Sequence, residues 1–203
     1  MNFMRGFLMA FLGVSLSFRL TRLLITIRRA KSHGAGQTTA RPIFWIMTIS
    51  YLIYLALCAR EGFRRADGFF WPVCALGFFL YIAALALREQ AMKDLGRFFS
   101  PDIEIRQAHH VVREGLYRYM RHPLLACMGL EIVGLGLVFN AYHALIAIGL
   151  GFYMPLILVR QALEERTLLK ELGEAYRTYQ REVGAFWPRF EMVFKARRGL
   201  RHV

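Results

Sequence analysis

A chain of 203 residues is about the size of one domain, yet 56% of it is apolar and 14% aromatic, more than a soluble domain carries. That composition excludes a soluble globular protein and points to an integral membrane protein. The formal charge of +13 raises nucleic acid as a partner, but the placement of the cations along the chain excludes it.

An apolar block must be roughly 17 to 25 residues long to cross the hydrocarbon core as a helix, and four or five blocks of this chain qualify. The first, residues 7–27, is long enough but holds Arg19 and Arg22. A cation near the bilayer centre costs about 3 kcal/mol on insertion scales, so the block either spans or lies at the interface. It lacks a small-residue cleavage pattern before its next arginines, which predicts that it stays attached. Residues 28–41 carry Arg28, Arg29 and Lys31 with Gly34, Gly36 and threonines, and read as a flexible connector. Residues 42–59 and 69–87 contain no charge and each predict a spanning helix with its backbone hydrogen bonds satisfied internally. Cys58, Cys74 and Cys127 all fall inside apolar blocks with no paired spacing, so they predict packing rather than disulfides or zinc.

The segment 88–122 is polar and long enough to fold over one mouth of the bundle. It ends in a charged island, Gly115-Leu116-Tyr117-Arg118-Tyr119-Met120-Arg121-His122-Pro123, where the next apolar block begins. Residues 124–139 and 144–159, separated only by Asn140, Ala141, Tyr142 and His143, predict a tight helical hairpin. After Val159 the helix is expected to continue, because Glu165, Leu169, Leu172, Tyr176, Tyr179 and Val183 recur at helical spacing and mark one buried face.

These elements fix an expected topology. With the Arg88 end of the third span inside, Arg5, Arg60, Arg64 and Arg65 lie outside and Arg19 and Arg22 within the first span, which leaves 21 of the 27 Lys and Arg in cytoplasmic segments. The basic excess therefore sets orientation, with attraction to anionic lipid headgroups as a secondary effect, and nucleic acid is not implied. The chain divides into N-terminal transmembrane helices, 1–87, and a core, 88–203. The expected fold is all-α, a polytopic membrane bundle of about five transmembrane helices with a pocket at the cytoplasmic face.

Several polar residues fall where they are costly. Glu165 sits on the otherwise apolar stripe and requires a cation or hydrogen-bond donors, as a structural ion pair or as a binding or catalytic carboxylate. Glu164 lies four residues after Arg160, the spacing of an ordinary helical ion pair. Pro123 suits the first turn of a helix, whose free N–H groups and dipole, aided by Arg118 and Arg121, favour an anion; alternatively those arginines snorkel to headgroups. Glu131, about two turns into its block, is a substrate-pocket candidate or a protonated carboxyl inside the bundle. His109 and His110 lack the companions of a metal site, and six histidines are too few for the boxes of membrane di-iron oxygenases.

Taken together, Leu95-Gly96-Arg97-Phe98-Phe99-Ser100, His109, Val111-Val112, the island from Gly115 to Pro123, Glu164-Glu165, Leu172-Gly173-Glu174, Tyr176, Tyr179 and Pro188 resemble the isoprenylcysteine carboxyl methyltransferase and phospholipid methyltransferase superfamily of integral membrane methyltransferases. The resemblance covers the C-terminal half. It implies an S-adenosylmethionine pocket facing the cytoplasm, contacted by His109, Val112, Gly115, Tyr117, Arg121, His122, Pro123, Glu164 and Glu165. It also implies a lipophilic or lipid-linked methyl acceptor oriented by Arg160, with Arg160 and Glu165 as the catalytic pair. The membrane would be the cell inner membrane or the endoplasmic reticulum.

Tyr117 and Tyr119 could shield a sulfonium by cation–π contact. On an unbroken helix, Arg160 and Glu165 lie about 140° apart, so both serve one site only if the helix kinks or the site wraps around it. Where the family commonly reads His-Pro, a variable residue, Tyr, a variable residue and Gly, this chain has Leu124, Leu125, Ala126 and Cys127. Glu131 is outside the family's pattern and so a candidate for substrate selection. Carboxyl O-methylation is the first reading of the activity. Phospholipid N-methylation, an NADPH-dependent reductase of the sterol reductase type and a non-enzymatic adaptor stand as alternatives.

Overall fold

Charge-free apolar runs became helices wherever the sequence expects them. The structure, a computed structural model, describes residues 2–32, 41–65, 68–96 and 111–187. Helix α1 is Asn2–Ser32, α2 Arg41–Arg64, α3 Trp71–Leu95, α4 Pro123–Val138 and α5 Tyr142–Leu172, followed by the short α6, Glu174–Glu182. Among the described residues four helices, α1, α2, α3 and α5, are long and apolar enough to cross a membrane. The protein is an all-α, multi-pass membrane bundle.

The first block packs into the bundle: Met4, Leu8 and Phe11 of α1 lie in the same buried core as α2 to α5. The helix also runs on to Ser32, so the start of the expected connector is helical; residues 33–40 lie outside the described residues. Similarly, α3 continues through Arg88 to Leu95 and takes up the start of the polar segment expected to form a loop.

Helix α4 occupies the centre. At 16 residues it is about 24 Å long, shorter than the hydrocarbon core. It is apolar nearly all round and ten of its residues are buried, the pattern of a helix enclosed by protein rather than lipid. Glycines make that enclosure possible. A Cβ on Gly77 of α3 would lie 2.5 Å from the Val138 nitrogen, and one on Gly134 would lie 2.7 Å from the Tyr81 nitrogen, so the α3 and α4 backbones touch directly. The Tyr54 hydroxyl of α2 donates to the Ile132 carbonyl at 2.8 Å on another side of α4.

The hairpin turn is built by Asn140, whose φ of 53° is in the left-handed region that Asn tolerates. Its side-chain oxygen accepts from the Phe70 nitrogen at 3.0 Å and the Tyr142 hydroxyl at 3.1 Å. Glu61 of α2 accepts from the Ala144 nitrogen at 3.0 Å, supplying the cap that α5 lacks in its own sequence. Residues Leu145–Tyr153 then wind as a π-helix. The widening ends just before Pro155, which has no N–H for the carbonyl four residues earlier.

The expected second arm of the hairpin and the expected tail are one helix, α5, running from Tyr142 to Leu172. The tail does not continue unbroken, however: Gly173 adopts φ 54° and separates α5 from α6. The apolar stripe survives the break, because Tyr176, Tyr179 and Val183 form a buried cluster with Val111, Leu168, Leu169 and Leu172. The buried Cys58, Cys74 and Cys127 are free thiols, as their spacing predicts.

Candidate active site

At the end of the bundle where α3 finishes and α4 begins, the charged island folds into a short 3-10 turn, Gly115–Arg118. Asp94 near the end of α3 holds it, accepting from the Leu116 nitrogen at 2.8 Å. Gly115 permits that approach: its φ is 54°, and a Cβ there would collide with the Asp94 carboxylate. Tyr117 is buried, and its carbonyl accepts from the Tyr179 hydroxyl at 2.5 Å. Residues after α6 then return to the island. The Arg121 nitrogen donates to the Gly184 carbonyl at 2.9 Å and the His122 nitrogen to Ala185 at 3.0 Å, lacing the two segments side by side.

This lacing carries Arg121 and His122 onto the charged face of α5. Arg121 donates from Nε and Nη2 to Glu165 Oε1 at 3.0 and 2.8 Å. Its Nη1 donates to the Gln180 carbonyl at 3.0 Å and also to the Val183 carbonyl. The His122 ring spans the two adjacent carboxylates, with Nε2 at 3.0 Å from Glu165 and Nδ1 at 3.4 Å from Glu164. Ionised carboxylates only accept, so with both in that form each ring nitrogen donates and the ring carries the charge of an imidazolium. Burial pulls the His122 pKa down, but its hydrogen bonds to Glu164 and Glu165 outweigh burial and hold it above the usual histidine value. Burial pushes Tyr179 up to about 12, and raises Tyr117 and Tyr176 as well.

Glu164 faces the other way to Arg160, whose Nε donates to it at 2.8 Å. Arg160 is buried, with Nη1 3.8 Å from the Met47 sulfur of α2. Between Arg160 and Glu165, α5 runs as continuous α-helix, and His122 bridges its two adjacent carboxylates from outside. Gln180 of α6 completes the arrangement by donating to Glu165 Oε2 at 2.8 Å.

Of the residues singled out in the sequence, Arg121, His122, Pro123, Glu164, Glu165, Arg160, Tyr117 and Gly115 converge on this end of the bundle. Val112 is half-buried between Val111, which packs on the tyrosine cluster, and Arg113, which pairs with Glu182 at 2.6 Å. His109 and Pro188 lie outside the described residues. Arg118 and Tyr119 are exposed. The anion role considered for Arg121 competes with four internal acceptor bonds that its guanidinium already makes.

Glu131 is elsewhere, deeper in the bundle, paired with Arg88 at 3.1 Å and Arg19 at 3.4 Å. It is thus not a lone carboxyl. Sequence reasoning missed Arg88, Asp94, Gln180 and the Arg113–Glu182 pair. An acidic residue in one span and a cation in another could have signalled the Arg19–Glu131 contact.

Residues 75–170 match the isoprenylcysteine carboxyl methyltransferase (ICMT) family. The chain is 42% identical over 73 residues to the methanethiol S-methyltransferase of Mycobacterium tuberculosis (strain ATCC 25618 / H37Rv), a match spanning 36% of this chain and only 28% of that protein. It is 27% identical over 146 residues to the uncharacterized protein YpbQ of Bacillus subtilis (strain 168), spanning 70% of this chain and 82% of the relative.

Proposed function

We propose, from the match of residues 75–170 to the isoprenylcysteine carboxyl methyltransferase family, that this chain is a membrane methyltransferase using S-adenosylmethionine and acting on a lipophilic acceptor. The observation that carries the proposal is the gathering of Glu164 and Glu165 onto His122 and Arg121 at one end of the bundle, beside the buried Arg160.

The residues present fit the methyl donor. Its ammonium calls for carboxylate oxygens, which Glu164 and Glu165 offer. The Tyr176 hydroxyl is buried within the electrostatic reach of Glu165 and Arg121 and has no hydrogen-bond partner among the described residues, so it can donate to an acceptor there. When bound, the donor would supply an activated methyl group on a sulfonium. What remains for the protein is to position and to exclude water, and alignment alone supplies several kcal/mol of the barrier. His122 holds the two carboxylates in register, Arg121 fastens the α6 segment over them, and Arg160 orients an anionic acceptor atom against that face. The site end is the cytoplasmic one under the positive-inside distribution of Lys and Arg.

The acceptor atom is an anionic oxygen or sulfur. Carboxyl O-methylation follows from the family, while transfer to a thiolate is favoured by the relative named as a methanethiol S-methyltransferase. Calorimetry of the purified protein in nanodiscs with S-adenosylmethionine should show saturable binding that Glu165→Ala abolishes. Mass spectrometry of lipid extracts should then reveal species heavier by one methylene. Absence of binding by the folded wild-type protein would refute the reading.

A further inference from the structure

Deeper in the bundle lies a second polar group, and the site above does not use it. Arg19 of α1 and Arg88 of α3 converge on Glu131 of α4, whose side chain is 3% exposed. The Arg19 guanidinium lies over the Tyr51 ring at 3.6 Å from its centroid, a contact that holds it in place without neutralising it. Glu131 is roughly 13 Å along α4 from His122, within the hydrocarbon core.

Among the described residues the charges there do not cancel. Two guanidiniums face one carboxylate, although a structural tie between helices needs only one cation per anion and a surplus cation inside a membrane is costly. Tyr153 ends the π-helical segment of α5 and interacts electrostatically with Arg19, Glu131, Arg88 and Arg160. It is wholly buried, and among the described residues its hydroxyl has no hydrogen-bond partner. π-helical turns recur at functional sites, and here the widened segment delivers an unused donor to a site of excess positive charge.

We infer that Arg19, Arg88 and Tyr153 form a membrane-embedded subsite for an anionic group, a carboxylate or thiolate, on an amphiphile with an apolar tail, distinct from the acceptor atom that Arg160 orients. Glu131 holds the two guanidiniums in register and takes the place of the ligand's charge when none is bound. The subsite selects against amines, because an ammonium would meet two guanidiniums. Its anion selectivity stands independently of the methyltransferase reading.

The test uses octanoate, octanethiol, octanol and octylamine, titrated by calorimetry into the full chain in nanodiscs without methyl donor. Octanoate, or octanethiol binding with release of a proton to buffer, should bind at least about tenfold tighter than octanol; which of the two prevails distinguishes a carboxylate from a thiolate ligand. Tyr153→Phe should weaken the preferred anion by about tenfold, the value of one hydrogen bond to a charged group, with affinity for S-adenosylmethionine unchanged. Glu131→Gln frees both guanidiniums and should tighten anion binding several-fold, whereas a mere structural lock predicts loss. Octylamine binding as well as octanoate, an unaffected Tyr153→Phe, or weaker anion binding by Glu131→Gln would overturn the inference. If the protein binds the methyl donor but no anion, this subsite alone fails; if it binds the anion but no methyl donor, the methyltransferase reading fails instead.

Discussion

Glu165→Gln is the sharpest perturbation of the site, because it changes one charge and hardly any volume. Oxygen Oε1 accepts three hydrogen bonds, two from Arg121 and one from His122, and Oε2 accepts one from Gln180. Bonds to a charged group net about 1.5–3 kcal/mol and neutral ones about 0.5–1.5 kcal/mol, so three downgraded bonds cost about 3 kcal/mol if simply added. The new amide would also turn its NH2 toward the NH2 of Gln180, donor against donor. The side chain is 15% exposed and water can relieve part of this, which leaves about 2–3 kcal/mol. That energy is spent locally, since Arg121 ties Glu165 to the Gln180 and Val183 carbonyls. Hydrogen exchange in nanodiscs should therefore show residues 176–186 losing roughly 100-fold protection, the equivalent of about 2.7 kcal/mol, while α2 and α3 stay protected. Affinity for S-adenosylmethionine should fall in parallel. Unchanged exchange in 176–186 would refute the claim that Glu165 anchors that segment.

Other outcomes follow from the same geometry. The pKa of His122 is raised by folding, so its stabilisation is fully present below the unfolded value of about 6.5 and is lost as pH rises through the folded value. Melting temperature should fall across that upper window, and His122→Gln should flatten the fall. Arg160→Lys keeps the charge but not the Nε bond to Glu164, so it should raise the acceptor KM while leaving affinity for the methyl donor within about twofold. Gly134→Ala forces the α3 and α4 backbones apart and should cost about 1–3 kcal/mol in melting experiments. Gly6→Ala, with nothing within 4 Å, should be neutral or slightly stabilising.

What the sequence made legible was whatever chemistry repeats locally. Charge-free runs named α2 and α3, Pro123 named the start of α4, and the spacing of Tyr176, Tyr179 and Val183 named a buried face. The break at Gly173 escaped the same periodicity because an apolar stripe of three and four continues across it; only the glycine's backbone geometry marks the turn. The pairing of 121–122 with 184–185 was illegible for another reason, since two residues in extended pairing leave no alternation to detect. Arg19 and Glu131 stand 112 positions apart. The high cost of each in lipid could be read from the sequence, but not that they share it.

The adjacent carboxylates show how one helix serves two purposes. Neighbouring positions lie about 100° apart on a helix, so Glu164 and Glu165 cannot face the same partner on α5 itself, and Arg160 donates to Glu164. An external cation with two donors on opposite edges is required to couple them, and an imidazolium supplies it where a lysine, with its point charge, would not. His122 is in turn aimed by a backbone bond to Ala185, beyond α6. Position therefore passes from the α6 segment to the ring, from the ring to both carboxylates, and from Glu164 to Arg160. On this reasoning loosening the segment after α6 displaces Arg160 without touching it, so Glu165→Gln should raise the acceptor KM as well as weaken the methyl donor.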